Sequence, residues 1–468
     1  MKFTTILLVA LLLAAAPLVA QPNPSAKIDR YVQAEMHRQK IPGLSLAVIR
    51  NGRITILKSY GLANVEHGVP VKPETVFQSG SIGKQFTAAA VMLLVQEGKI
   101  SLEDEITKFF PAVPTSWGKI TIRHLLNHTS GLGDFPPEID LRRDYSEDEY
   151  FESLKKTPLA FEPGTKWDYS NAGYASLGIL IRKVTGKFYG DVLQEMMFQP
   201  LGMSTTRVIS EADIVPNRAA GYRLVNGELK NQEWVSPSTN STADGSLYFT
   251  ILDLAKWDAA LYTDKPLKHA TLTEIWKPTT LSDGQRKPYG FGWHTDTIHN
   301  RRVVYHGGAW QGFKSSIIRF LDDRLTIIFL ANSWETNDIR LTRGLAALFY
   351  PEFALPAIQT IEDRDAKASS LVRRTLLQLA RGAADTEVFT PEFRAEVFPN
   401  RAKQLGETLN SLSLPVAVIH LSELVERRNE DNLRVYRYLL VDIGKTLSCT
   451  VKLTKDDRIA GLEIENRD

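Results

Sequence analysis

A serine followed three residues later by a lysine is a minimal arrangement for making a nucleophile, and the chain holds two of them. In Ser153-Leu154-Lys155-Lys156 the pair lies in an amphipathic stretch rich in acids and lysines, where a solvated helix face accounts for it. Ser81-Ile82-Gly83-Lys84 has a different setting: the polar turn Gln78-Ser79-Gly80 gives way there to a long apolar segment ending near Glu97. A serine at such a boundary commonly serves as a helix N-cap. A lysine at i+3, however, lies one turn along the same face. Its apolar neighbours Phe86, Ala88, Ala89 and Val91 would lower its pKa by desolvation and free the amine to act as a base. The helix N-terminus would also aim N–H groups at an oxyanion forming over Ser81.

Two further groups could complete that chemistry. Tyr169-Ser170-Asn171 is the chain's one Tyr-x-Asn. A turn tyrosine and an N-cap asparagine would explain it, but Tyr169 could equally relay the serine proton while Asn171 donates its amide to a substrate carbonyl. His306-Gly307-Gly308-Ala309, at the end of an expected strand, is the one His-x-Gly. A glycine bulge beside a surface histidine would explain it too. As a site, its glycines would let a substrate lie against the strand edge, and the Ala309 N–H would pair with the Ser81 N–H as an oxyanion hole.

Other chemistries fit less well. His124 and His128 have metalloprotease spacing, but Leu125 stands where the glutamate base would be, so a packing or capping role is expected. Gly-x-Ser-x-Gly fails at Ser81 because position 79 is serine. With 56 basic and 54 acidic residues, and no basic run interleaved with aromatics, nucleic acid is not an expected partner. Cys449 is the single cysteine, so no intrachain disulfide forms, and it reads as a small buried hydrophobe.

The elements that must position these residues are legible in outline. Residues 43–50 are mostly apolar and 53–60 alternate, and with the turn dipeptide Asn51-Gly52 between them they read as a hairpin. Helical spacing runs over 83–97, 146–157, 172–185 and 251–262, and strands are expected at 301–305, 312–320 and 324–331, closed by a helix at 337–349. Two early strands and three late ones suggest one antiparallel sheet assembled from both ends and covered by helices. Beyond Pro351 and Pro356 come helical stretches at 365–382 and 390–413, then strands over 415–464 with turns at 429–431 and 456–457. The expected organisation is a signal peptide over 1–20, a main domain over 21–352 and a small α+β domain over 362–468. The first segment has one early lysine, an apolar run shorter than a membrane span, and Ala-rich residues ending at Ala20. The mature chain is therefore expected to be exported, periplasmic or secreted, with no membrane span after cleavage. Oligomeric state is left open.

Ser-x-x-Lys, Tyr-x-Asn and His-x-Gly, in that order, resemble the three motifs of the serine β-lactamase and penicillin-binding protein superfamily, nearest its class C-like branch. The stretches from Ile120 to Leu132, Tyr289 to Trp293 and His306 to Phe313 agree, and the likeness runs from about residue 28 to 350. It implies an α/β sandwich, with an antiparallel sheet flanked by helices and an all-helical subdomain, and the site between them. Catalytic Ser81, Lys84 and Tyr169, substrate-binding Asn171, His306 and Gly308, and an oxyanion hole at Ser81 and Ala309 are the expected residues. The reaction needs no metal or organic cofactor. It forms an acyl-enzyme on an amide or ester carbonyl of a small-molecule or peptide substrate: a D-amino-acyl peptide, a carboxylic ester or a β-lactam. Many β-lactamases of the superfamily carry lysine where His306 stands. A partly charged histidine leans toward a D-peptidase, aminopeptidase or esterase. The alternative is an acylatable sensor with little turnover. Trp167, Trp234, Trp293 and Trp310 could line an acyl site, and loops around 133–145 and 232–248 would shape it.

Overall fold

Both residues of the Asn51-Gly52 turn have positive φ, 51° and 70°, which matches the right-handed twist of a two-residue hairpin. The turn joins β1 (Gly43–Arg50) to β2 (Arg53–Asn64), and β3 (Val69–Pro70) borders β2. The late strands are β4 (His294–Ile298), β5 (Arg301–Trp310), β6 (Phe313–Phe320) and β7 (Leu325–Ala331). In the computed structural model, which describes residues 24–135, 138–356, 360–410, 412 and 423–467, these make one antiparallel sheet in the order β4-β5-β6-β7-β1-β2-β3. Leu44 pairs with Ala331 and Arg50 with Leu325, so the two ends of the region close the sheet as expected. The proposed signal segment, and residues 415–422 of the expected strand stretch, lie outside the described residues.

Three strand expectations need correcting, the first being β3, whose two residues were not anticipated. β4 was not anticipated, because five residues with four polar positions carry little hydrophobic pattern. β5 does not stop at residue 305 but runs through the His306 motif to Trp310. Glycines here narrow the strand for a close neighbour rather than ending it.

Because alternate residues face opposite sides, the sheet divides its apolar residues between two cores. Ala47, Ile49, Val304, Ile317, Ile328 and Leu330 face helices α2 (Gly83–Gln96), α4 (Asn171–Thr185) and α5 (Ile251–Ala260), and the short α3 (Ile122–Leu126) packs on α4. Leu44, Leu46, Val48, Tyr305, Ile318 and Phe329 face α1 (Pro24–Gln39) and α6 (Asp338–Ala347). Behind them stands the C-terminal module. Helices α7 (Ala366–Ala380) and α8 (Asn400–Asn410) lie against a four-stranded meander of β8 (Glu423–Glu430), β9 (Leu433–Val441), β10 (Thr446–Leu453) and β11 (Ile459–Asn466). Its apolar residues, Leu376 and Tyr438 among them, are continuous with the second core. Cys449 is buried there with its thiol pushed up to about 12, an inert packing group. Among the described residues no helix is long and apolar enough to cross a membrane.

Candidate active site

Ser81 sits in a single tight turn, Gly80–Ile82, that feeds α2. The helix cap position is Ile82, so Ser81 is not its N-cap. Gly80 has φ of 51°, and a Cβ there would lie 2.3 Å from the Ala309 nitrogen. A Cβ on Gly308 would lie 2.0 Å from the Ser79 carbonyl oxygen. The nucleophile turn and β5 are thus pressed backbone to backbone, and only glycine fits at either contact. Ser79 pins the turn: its hydroxyl donates to the Gly245 carbonyl at 2.6 Å, and its own carbonyl accepts from the Ser315 hydroxyl on β6 at 2.6 Å. This sets Gly80, the residue before Ser81, against Ala309 of β5.

Lys84 is fully buried, with Nζ 3.2 Å from Ser81 Oγ. Nζ donates to Asn171 Oδ1 at 2.6 Å and to the Asp244 carbonyl at 2.5 Å. Burial lowers the lysine to about 8, against the opposing pull of Asp244 and Asp134. A shift of that size corresponds to about 3 kcal/mol against the ammonium form. A neutral amine has two N–H donors and one lone pair. Asn171 and Asp244 accept the two donors, so the lone pair is left for the Ser81 hydroxyl proton.

Tyr169 lies on the other side of this amine, which is 4.8 Å from the ring centre. Burial holds its phenol well above the ordinary range, partly offset by the neighbouring Ser81 hydroxyl. Its oxygen nevertheless closes no hydrogen bond of normal geometry among the described residues. Tyr169 therefore stays protonated, with a donor still to place. The ring rests on His128, centroid to centroid 4.3 Å. His128 Nδ1 accepts from the Ser170 N–H at 3.1 Å, and burial with nearby Lys84 keeps the imidazole neutral. The spaced pair takes the packing and capping roles expected of it: His128 packs on Tyr169, and His124 forms a capping box with Thr121 at the start of α3.

Asn171 and His306 differ from expectation. Ser170, not Asn171, caps α4, accepting from the Gly173 N–H at 2.9 Å. Asn171 is thereby released to the site, but its amide nitrogen donates to Asp134 Oδ1 at 2.9 Å. It bridges Lys84 to a carboxylate instead of presenting a free amide to substrate. His306 Nδ1 lies 2.6 Å from the Gly307 carbonyl, which can only accept, so Nδ1 carries the proton and Nε2 accepts from Tyr289 Oη at 3.0 Å. Burial and Lys84 push the ring down to about 3. The partial charge expected from a histidine near its usual pKa is therefore absent, and the ring is held by the protein on both nitrogens.

The four tryptophans part ways. Trp293 is core, Trp234 is exposed, Trp167 packs on His128 and Tyr289, and Trp310 donates from Nε1 to Asn240 Oδ1 at 2.6 Å. Sequence reasoning did not single out Asp134, Asp244 or Tyr289. Tyr289 lay inside a noted fragment and Asp244 inside a loop expected to shape the pocket, but no spacing marks either as a partner of Lys84 or His306. The second Ser-x-x-Lys is a surface feature, with Lys155 paired to Glu152.

A sequence profile of the family described as Beta-lactamase matches residues 28–350. Penicillin-binding protein 4* of Bacillus subtilis (strain 168) is 32% identical over 305 residues, 61% of this chain and 67% of that protein. The D-aminopeptidase of Gluconobacter oxydans (strain 621H) is 27% identical over 333 residues, 69% of this chain and 62% of that protein. The chain therefore spans 62% to 67% of the length of these relatives. The octameric penicillin-binding protein homologue from Pyrococcus abyssi shares the fold, with a TM-score of 0.63 at 20% identity over 94% of this chain and 99% of that one, a coverage that reaches into the C-terminal module. With a buried lysine beside an uncapped serine, and a profile match over most of its length, the chain belongs to the beta-lactamase family of serine hydrolases.

Proposed function

We propose that the protein is an exported acyl-enzyme hydrolase of aminoacyl amides, peptides or esters with a free amino group, and not of β-lactams. The charges that Lys84 senses carry the reading: both are carboxylates, Asp244 and Asp134. The neutral His306 offers no cation for a substrate carboxylate, whereas the exposed Asp134 beside Asn171 suits an ammonium group. The D-aminopeptidase among the relatives supports the same substrate class, in the D configuration. Export rests on the order of residues 1–20.

In this mechanism Ser81 Oγ bonds to the substrate carbonyl carbon as its proton passes to the Lys84 lone pair. The oxyanion is held by the Ser81 and Ala309 N–H groups. The π-face of Tyr169 stabilises the transient ammonium, and its phenol passes the proton on, giving its own to the departing amine or alcohol and taking the Lys84 proton in return. Water then attacks the acyl-enzyme, giving up its proton along the same path, and Ser81 is regenerated. His306 and Gly308 position the substrate through Tyr289 and the strand edge.

Time-resolved intact mass with a D-aminoacyl p-nitroanilide and, separately, a penicillin tests this, with Ser81→Ala as control. A transient adduct and sustained release from the anilide, absent in Ser81→Ala, is the expected result. Faster clearance of the penicillin would overturn the substrate class. One stoichiometric adduct that is never released would mark an acylatable sensor instead.

A further inference from the structure

Residues 242–245, beside the nucleophile, lie outside every helix and strand, so no ladder holds their backbone. Side chains hold it instead, one to each carbonyl. Tyr189 Oη donates to the Thr242 carbonyl at 3.0 Å, Thr87 Oγ1 to that of Ala243 at 2.6 Å, Lys84 Nζ to that of Asp244 at 2.5 Å and Ser79 Oγ to that of Gly245 at 2.6 Å. Ser79, Lys84 and Thr87 follow one another along the nucleophile turn and α2, while the carbonyls they meet run the other way. The segment is also tightly enclosed. A Cβ on Gly178 of α4 would lie 2.4 Å from Ala243 Cβ, and one on Gly245 would lie 2.6 Å from the Gly80 carbonyl oxygen.

Thr87 has no part in the acyl transfer described above. It is buried inside α2, where a threonine ordinarily turns its hydroxyl back to the carbonyl one turn earlier. Ser176 of α4 does so, donating to the Ala172 carbonyl at 2.8 Å. Thr87 sends its hydroxyl out of the helix to Ala243. The peptide plane held there is rigid, and the next carbonyl along the chain is the one that takes a Lys84 N–H. Released at Ala243, the plane can rotate and carry the Asp244 carbonyl away from Nζ.

We propose that Thr87 is a positioning residue for acylation: through the Ala243 carbonyl it keeps the Asp244 carbonyl on Lys84, and so keeps the Lys84 lone pair on Ser81. Thr87 touches neither substrate nor the reacting atoms. The proposal rests on Lys84 as the base and not on the substrate class.

Labelling of Ser81 by an alkyl fluorophosphonate, followed by intact mass at a series of pH values, tests it without a choice of substrate. In that reaction Ser81 Oγ bonds to phosphorus, fluoride leaves and the serine proton passes to Lys84. The wild-type rate should climb through about 8. Thr87→Val deletes the hydroxyl, keeps the branched shape and should slow labelling about tenfold. It should also move the climb to lower pH, because the ammonium loses more than the amine when an acceptor withdraws. Thr87→Ser should restore both rate and profile. Ser176→Ala, which deletes an ordinary back-bonding hydroxyl in the same core, should change neither. Where Thr87→Val does not fold, Tyr189→Phe frees the neighbouring Thr242 carbonyl and should move the climb the same way by less. A climb unmoved in Thr87→Val, or in Tyr189→Phe where that variant alone folds, would overturn the proposal, as would a slowing that Thr87→Ser does not reverse. A wild-type rate flat through this range would remove Lys84 as the base, and the proposal with it.

Discussion

The two faces of the seven-stranded sheet solve different problems. On one, polar groups are buried deliberately close: Lys84, Asn171 and the Asp244 carbonyl meet with donors and acceptors matched for a neutral amine, and glycines admit the nucleophile turn. On the other, Leu44, Ile318 and Phe329 form an apolar layer shared with the C-terminal module. The main polar tie across that layer is Arg343 of α6, which donates to the Asp442 carbonyl at 3.1 Å and to Thr446 Oγ1 at 2.9 Å in the module, and to the Phe353 carbonyl at 3.0 Å. The contrast teaches that chemistry here depends on hydrogen-bond stoichiometry around one amine, while attachment of the module depends on area and one buried cation.

The division can be tested by cutting each face separately. Ser81→Ala should lower kcat/KM by about 10⁴-fold or more with little change in the urea midpoint; an unchanged rate would remove Ser81 from the mechanism. Arg343→Met should act in reverse, leaving several carbonyls unpaired and lowering unfolding free energy by about 2–4 kcal/mol, with kcat per folded molecule retained. Loss of turnover at full stability in that variant would dissolve the distinction between the faces.

Asn171→Ala removes an acceptor from Lys84 and frees its lone pair to turn from Ser81. We expect kcat to fall about 10²-fold, with a smaller change in KM; a pure KM effect would make Asn171 a substrate contact after all.

Because Lys84 is lowered to about 8, kcat/KM should climb with pH through that value. Stability should follow the same group. Between about 8 and the ordinary lysine value of 10.5, the unfolded chain holds a proton that the native one lacks, so native stability rises with pH across that window. Urea melts of Lys84→Met should lack that rise.

The acid side of the stability curve belongs to His306. Its native ring stays neutral down to about 3, while the unfolded ring protonates below 6.5. Its stabilising contribution is therefore complete above 6.5 and lost as pH falls toward 3. His306→Gln should flatten part of the acid limb of the stability curve.

What could be read in advance follows the reach of each signal. Ser81 and Lys84 share one helical turn, and Asn51-Gly52 fixes its hairpin locally, so both were legible. So was antiparallel closure of the sheet, because short apolar runs bounded by turns mark β1 and β7. The partners of Lys84 were not. Asp134, Asn171 and Asp244 converge from three separate loops and helix starts, and only the folded backbone brings them together. The charge of His306 was misjudged for the same reason: its burial under Tyr289 is a tertiary fact. The substrate contact expected of Asn171 did not anticipate Asp134, whose Oδ1 accepts the amide, because a pattern of types at fixed spacing does not show a partner from another loop.

Pairing of Leu44 with Ala331 has a kinetic consequence. The inner edge of β1 has no neighbour until a strand about 290 residues later has been made, so the site cannot mature as synthesis proceeds. Contacts this distant in sequence delay folding, and a chain delayed in this way remains threadable. If residues 1–20 do direct it through a translocation pore, late closure of the sheet keeps the polypeptide in the only form that could pass.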